Sequence, residues 1–416
     1  MIDRPLTYGG QSLPTPSVLD RFRAYLSRGP NHEALLDDVD VRIGVSGIRG
    51  KSSTAKQLGR ILTERGYDSY TKITGDRPTS YHNGREIPIH RSGPRVTLYE
   101  NIDLIREFVP ELTLTEPKDA VVMENQAITE YTMRMVNERF LKPDVLVFCN
   151  VRQDHNDTLG KDRQTIARSF ARAVPEGCHV ISGEQHDVIH RYLREEIEKR
   201  GATIEQVVIP QRHRDLIGAE TVHAIDHVLR HIDEDPLDPD RTDEMLAAIQ
   251  PEWTHLPEGR VFNAAKVNEI ESTELFRRSL ADGDGDDDVA YIGEEAPDRE
   301  PDRVVPFVFL RRDRRGRTAS FVDYVNILAD RDLIDRVHVG GAYTGVFARN
   351  VTVPAVQHDT DETPASDVLD SLLAEDDPVM FMANTVDPFM RELVDEVERR
   401  ERKAEGEPVV PPLPDY

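Results

Sequence analysis

The stretch Arg42-Ile43-Gly44-Val45-Ser46-Gly47-Ile48-Arg49-Gly50-Lys51-Ser52-Ser53-Thr54 constrains this chain more than any other. A β-branched run over Val39–Val45 predicts a strand, and Ser52–Arg65, rich in Ala, Leu, Gln and Arg, predicts a helix. Gly44, Gly47 and Gly50 precede Lys51 and Ser52. Glycines let backbone N–H groups turn inward, and the following helix presents its positive end, so the segment suits phosphate. Lys51 can reach β- and γ-phosphates as a mobile cation, and the Ser52 hydroxyl can join a Mg²⁺ shell. The first glycine falls at Gly44, one place before the position, Val45, that the usual phosphate-loop spacing requires. The alternative is a plain strand–helix turn.

Strands and helices alternate from about 39 to 250. Strand candidates are Val39–Val45, Tyr67–Ile73, Ala120–Met123, Val145–Val151, His179–Ser182 and Thr203–Ile209. Helix candidates include Thr129–Phe140, Gln164–Ala173 and Asp187–Arg200. Several strands are apolar without alternation, which predicts a parallel sheet covered on both faces, with function at the carboxyl ends of its strands. One segment breaks the rhythm. Asn83-Gly84 is a two-residue hairpin signal. Such a hairpin, carrying Arg77, Arg85, Arg91 and Arg95 beside the phosphate loop, reads as a cationic flap that grips an anionic substrate. Arginines balancing local carboxylates are the alternative.

Residues 1–38 form a leader with an amphipathic segment at Val18–Leu26, and 39–258 the main domain. A boundary follows Gln250-Pro251. Residues 259–404 form a second, smaller α/β domain, with strands at Val304–Leu310, Arg336–Gly340 and Val379–Ala383 and helices at Phe321–Ala329, Ser366–Leu373 and Pro388–Arg400. It is interrupted by an acidic insertion at 282–302, and 405–416 are a flexible tail.

The 416 residues carry a net charge of −25, and only nine of the 52 basic residues are lysine. That balance suits a solvated acidic surface adapted to high salt, and it disfavours nucleic acid or anionic lipid as partners. Cys149 and Cys178 sit in apolar surroundings and read as small buried side chains. No apolar stretch is long enough to cross a membrane, so the expectation is a soluble cytoplasmic protein.

Three further features point to the same chemistry. Ala120-Val121-Val122-Met123-Glu124 is an apolar strand ending in a carboxylate, which suits Mg²⁺ or its bound water. Asn150-Val151-Arg152-Gln153-Asp154-His155-Asn156-Asp157 is a polar cluster after a strand, with His155 a candidate ligand. Phe262-Asn263-Ala264-Ala265-Lys266-Val267-Asn268 lies at the join between domains.

Gly44 to Ser52, the strand ending at Glu124 and the cluster Asn150 to Asp157 resemble the Mur ligase superfamily. Within it, Ser46 to Ser52, Asn150-Val151-Arg152-x-Asp154-His155, and Asn263-Ala264-Ala265 with Asn268 and Ser272-Thr273 resemble the catalytic subunit of poly-γ-glutamate synthase (PgsB/CapB type). The resemblance covers about 39–275; the smaller domain matches only in α/β rhythm. It implies an α/β fold with a P-loop-containing parallel sheet covered by helices, an inserted β-hairpin and the second domain. It implies an ATP- and Mg²⁺-dependent carboxylate–amine ligase working through an acyl phosphate, adding glutamate to a poly-γ-glutamate chain. Gly47, Ile48, Arg49, Gly50, Lys51, Ser52 and Ser53 would then surround the phosphates, with Asn268 near the adenine. Ser52, Glu124 and His155 would hold Mg²⁺, Lys51 and His155 would act in catalysis, and Arg77, Arg85 and Arg91 would hold the acidic substrate. A small integral-membrane partner at the inner face of the membrane is implied, and a homo-oligomer is compatible with it.

Two departures stand out. Many Mur ligases carry a carbamylated lysine on the helix that here reads Ile166-Ala167-Arg168-Ser169, so Arg168 either acts as a fixed cation or a second metal is absent. The second domain lacks a clear Asp-Tyr-Ala-His-Asn-Pro motif; Asp323-Tyr324-Val325-Asn326 or Arg311-Arg312-Asp313-Arg314 could take part of that role. The competing reading is a nucleotide-binding scaffold or regulatory protein of the same fold without turnover.

Overall fold

The computed structural model describes residues 7–8, 11–12, 28–74, 78–88, 118–126, 128–153, 158–267, 269–282, 303–313, 315–384 and 387–404. The segment Val18–Leu26, the acidic insertion beyond position 282 and the tail from 405 lie outside them. The chain forms two compact units, one of residues 1–149, 167–206 and 227–234, the other of 150–166, 207–226 and 235–416.

The first unit contains strands β1 (Val41–Ser46), β2 (Asp68–Ile73), β3 (Thr79–His82), β4 (Arg85–Pro88), β5 (Asp119–Glu124), β6 (Val145–Phe148), β7 (His179–Ser182) and β8 (Thr203–Gln206). They make one sheet of order β8-β7-β6-β1-β5-β2-β3-β4, parallel except at β3 and β4. β5 and β6 are buried along their whole length, as apolar strands covered on both faces must be. On one face, helix α1 (Arg28–Asp37) and helix α3 (Glu130–Met135), which continues as a π-helical turn over Val136–Leu141, close on Tyr70, Val121 and Met123. Side chains alternate along a strand, so Thr71 faces the other way. There helix α2 (Lys51–Glu64) lies flush against it: a Cβ on Gly59 would fall 1.8 Å from Thr71 Oγ1. After β1 the chain crosses over β5 to β2; after β5 it crosses to β6 on the other side of β1. Strand order therefore reverses at β1, which opens a crevice at its carboxyl end.

Helices α4 (Arg163–Arg172), α5 (Asp187–Glu198) and α6 (Ala219–His231) follow. The strand expected over 203–209 stops at Gln206, and the helices at 219–231 and 239–247 were not among those expected from sequence. The hairpin forms as its turn residues dictate, with Asn83 at φ 48° and Gly84 at φ 73°, the two left-handed positions of a type I′ turn.

The second unit contains β9 (Thr254–Leu256), β10 (Gly259–Asn263), β11 (Val305–Leu310), β12 (Val337–Gly341), β13 (Ala355–Gln357) and β14 (Val379–Ala383) in the order β9-β10-β14-β11-β12-β13, parallel except for the β9–β10 hairpin. Its helices are α7 (Pro239–Ala247), α8 (Ile270–Asp282), α9 (Arg315–Asp330), α10 (Thr344–Asn350), α11 (Ala365–Leu373) and α12 (Pro388–Ala404). Alternation along β11 builds both cores. Phe307 and Phe309 join α11 and α12 through Leu369, Phe389 and Leu393. Val308 and Leu310 join α9 and α10 through Phe321, Val325 and Phe347. Strands β9 and β13, three residues each and partly polar, escaped the sequence pattern. Among the described residues no helix is long and apolar enough to cross a membrane.

Candidate active site

The phosphate loop follows from three local facts. Gly47 (φ 118°) and Gly50 (φ 82°) occupy backbone conformations that other residues adopt only under strain. Gly50 O then accepts the Thr54 N–H at 2.9 Å and the Thr54 hydroxyl at 2.8 Å, which fixes the first turn of α2. Ile48 is buried and anchors the loop, and Lys51 Nζ folds back to donate to Ile48 O at 2.9 Å. Gly44 belongs to β1 rather than to the loop: it pairs with Met123 and packs beside Leu146. This accounts for the one-place offset in the glycine spacing.

Glu124 ends β5 beside Val45 of β1 and is only 4% exposed. Its Oε2 accepts the Ser52 hydroxyl at 2.9 Å and the Thr74 backbone N–H at 2.7 Å. The next residue anchors the strand end, since Asn125 N–H donates to Val45 O at 2.8 Å and Nδ2 to Asn137 Oδ1 at 2.9 Å. The Ser46 hydroxyl, at the base of the loop, is buried and has no hydrogen-bond partner among the described residues. Two oxygen donors 2.9 Å apart fit a hard cation such as Mg²⁺ better than a thiophilic metal. The left-handed glycines and the orphaned hydroxyl fit an anion. Among the described residues no cluster of three or more His, Cys, Asp or Glu could hold a metal, so the site rests on the Ser52–Glu124 pair and what joins it.

The other expected residues divide. His155, Asn268, Arg77 and Arg91 lie outside the described residues, as does Arg95. Ser53 is exposed on the first turn of α2, and Arg49 is partly buried in the loop. Arg85 is a correction. β3 runs antiparallel to β2, so the Asn83-Gly84 turn and Arg85 sit at the amino-terminal end of the sheet, where Asp68 Oδ1 accepts from His82 and Asn83. The loop lies at the carboxyl end, and β4 is four strands from β1, roughly 19 Å at ordinary strand spacing. Arg85 is therefore not part of a grip beside the loop. Arg168 lies on the exposed face of α4, and its Nε donates to Tyr192 Oη on α5 at 2.7 Å.

In the second unit, Arg152 binds Ser272 Oγ and approaches two carboxylates, Glu220 at 3.6 Å and buried Glu269 at 3.7 Å. Asn150 Nδ2 also donates to Glu220, at 3.2 Å. These contacts tether the start of the 150–157 segment and give Arg152 and Ser272 a role that sequence did not assign. Tyr324 is a core residue whose hydroxyl donates to Glu274 at 2.8 Å. Burial alone would raise the Glu274 carboxyl, but Arg277, Arg278 and Tyr324 hold it down at about 2. Tyr324 thus pins α9 to α8. Arg311 and Asp313, an ion pair at 2.9 Å, instead line a cavity of about 670 Å³ at the carboxyl ends of β11, β12 and β13. Gly341 (φ 81°) shapes it, since a Cβ there would fall 2.3 Å from Leu310 O.

A phosphate loop after the central strand of a parallel sheet, a carboxylate ending the neighbouring strand, and a second α/β unit define the Mur ligase and folylpolyglutamate synthase fold. E. coli FolC in complex with ADP superposes with a TM-score of 0.56 at 16% identity, covering 94% of this chain and all of that one. MurF from Acinetobacter baumannii gives 0.55 at 13%, covering 90% and 80%. More particularly, residues 254–400 match the family described as the poly-gamma-glutamate synthase CapB C-terminal domain. The Bacillus subtilis protein named PGA synthase CapB is 30% identical over 152 residues, 36% of this chain and 37% of that protein. The chain thus matches a little over a third of the length of that relative. The family signature on 254–400 lies mostly in the domain where sequence reading found only an α/β rhythm.

Proposed function

We propose that this chain is an ATP-dependent carboxylate–amine ligase that adds glutamate to a poly-γ-glutamate chain. One observation carries the reading: the Ser52 hydroxyl, in the first turn after the glycine loop, meets the strand-end carboxylate of Glu124 at 2.9 Å. Loop and carboxylate together offer the positioning and charge neutralisation on which phosphoryl transfer depends. Loop N–H groups and Lys51 would hold the β- and γ-phosphates. Ser52 and Glu124, joined by His155, would hold Mg²⁺, whose charge offsets the repulsion between two anions. The γ-phosphoryl group then passes to a substrate carboxylate, giving an acyl phosphate and ADP. Attack by an amine forms the C–N bond, breaks the bond from the acyl carbon to the phosphate oxygen, and releases phosphate.

The names borne by the matched family and by the Bacillus relative support glutamate as the added unit. Arg77 and Arg91 remain the proposed grip for the acidic acceptor, and Asn268 the adenine contact. The second unit's cavity offers arginines and carboxylates together, the two charges an amino acid needs. An integral-membrane partner, a cytoplasmic location and adaptation to salt belong to the same proposal. The test is ADP release with and without glutamate and acceptor, with mass analysis of the product. Glutamate-dependent ADP release with a γ-linked product is expected; nucleotide binding without turnover would leave a scaffold.

A further inference from the structure

On the sheet face that α1 and α3 cover, the first unit buries an apolar core that includes Leu36, Tyr70, Val121, Met123, Phe140 and Leu141. The same face carries two amides, Asn125 and Asn137, each only 1% exposed. A buried amide costs stability unless its bonds are made, and apolar side chains of similar size would fill the space without that risk. What the amides add is direction. Met133 O and Ala173 O can only accept, so each fixes how an amide points. Asn125 Nδ2 donates to Met133 O at 3.2 Å and to Asn137 Oδ1 at 2.9 Å, and Asn137 Nδ2 donates to Ala173 O at 2.9 Å.

Asn137 is held by the main chain as well. Its carbonyl accepts the Lys142 N–H at 3.0 Å, which closes the π-helical turn as Lys142 takes a left-handed φ of 49°. Such turns are rare and concentrate at functional sites. The two amides thereby tie together the end of β5, the turn after α3 and the residue just past α4. This bracket bears on Glu124. Side chains alternate along a strand, so Asn125 faces the bracket while Glu124, one residue earlier, faces Ser52 on the other side. The peptide between them belongs to the same frame, because the Asn125 N–H donates to Val45 O at 2.8 Å. Mg²⁺ demands near-ideal octahedral geometry, so a carboxylate that serves it tolerates little movement of its strand end.

We propose that Asn137 is a positioning residue for the Ser52–Glu124 site: acting through Asn125, it fixes the end of β5 and keeps the Glu124 carboxylate aimed at Ser52 and the cation the two would share. The proposal rests on the ligase reading above for what that cation does. Asn137 lies on the opposite face of the sheet from α2, so its influence reaches the site through β5.

The test uses Asn137→Leu, which nearly keeps the volume and removes both directional bonds. Mn²⁺ bound together with a non-hydrolysable ATP analogue is titrated by electron paramagnetic resonance, alongside nucleotide affinity in chelator and glutamate-dependent ADP release. Loss of a partner behind a metal ligand costs roughly 10–100-fold, so Mn²⁺ affinity should weaken about 10-fold and turnover fall about as much, with metal-free nucleotide affinity unchanged. Made in Glu124→Gln, the same change should leave Mn²⁺ affinity where Glu124→Gln alone puts it, because the route is already cut. Asn137→Asp is the conservative variant, and it carries the comparison should Asn137→Leu not fold. Burial drives its carboxyl toward the protonated form, which can accept from Asn125 and donate to Ala173 O as the amide does. Its Mn²⁺ affinity relative to the unmodified protein should therefore recover as pH falls. Unaltered Mn²⁺ affinity in the Asn137 variants, or losses that add in full to those of Glu124→Gln, would overturn the assignment. Absence of glutamate-dependent ADP release from the unmodified protein would bring down the ligase reading, while the Mn²⁺ titrations decide the positioning role by themselves.

Discussion

Glu124→Gln separates the fold of the phosphate loop from its chemistry. The carboxylate is 4% exposed and its Oε2 accepts two bonds, from Ser52 and from the Thr74 N–H. Bonds to a charged acceptor contribute about 1.5–3 kcal/mol and neutral ones about 1 kcal/mol. Glutamine keeps one acceptor oxygen, and a serine hydroxyl can reverse its donation. The charge no longer has to be desolvated, which offsets part of the loss, so the expected cost in stability is about 1 kcal/mol. The reaction should suffer more. A charge aimed at phosphoryl transfer and its cation is worth on the order of 100-fold in rate, or about 2.7 kcal/mol. The assay is ADP release as a function of Mg²⁺, paired with nucleotide affinity measured in a chelator. We expect metal-free affinity to change little, the Mg²⁺ requirement to rise and turnover to fall about 100-fold. A Mg²⁺ dependence identical to that of the unmodified protein would refute the reasoning and leave Glu124 a brace for the loop.

Further expectations concern other contacts. Lys51→Ala removes the hydrogen bond to Ile48 O, worth about 1 kcal/mol, and should lower turnover at least about 100-fold; denaturant unfolding and ADP release measure the two. Arg152→Ala removes a cation 3.7 Å from buried Glu269 and should destabilise the second unit by about 1–3 kcal/mol in denaturant unfolding, with Arg152→Lys intermediate. Glu274 sits below its ordinary value of 4.5, so its contribution is complete above that pH and is lost as pH falls toward about 2. Tyr324→Phe removes one donor to Glu274 and should narrow that window, seen as a smaller acid-induced loss in a pH series of unfolding midpoints.

Much of the first unit was written locally. A β-branched run, two glycines that need left-handed backbone and a lysine at a helix start encode the loop, and Asn83-Gly84 encodes the hairpin. What the hairpin does was not local. Once β3 turns back along β2, a residue at the turn falls at the amino-terminal end of the sheet, and no reading of arginine positions alone foresees that. Glu124 was visible as a strand ending in a carboxylate, but its second partner, the Thr74 N–H, is set by how β2 and β5 pair. Arg152 was visible and its role was not, because Glu220, Glu269 and Ser272 join it only through the tertiary fold. In the second domain β11, β12 and β14 announced themselves by apolar runs.

The central claim, that a carboxylate is activated by the phosphoryl group held at the Ser52–Glu124 site, has a direct test. An acceptor labelled with heavy oxygen in its carboxylates is incubated with ATP, Mg²⁺ and glutamate, and the released phosphate is analysed by mass. The account predicts transfer of one heavy oxygen to each phosphate released during amide formation. Unlabelled phosphate accompanying product would contradict it.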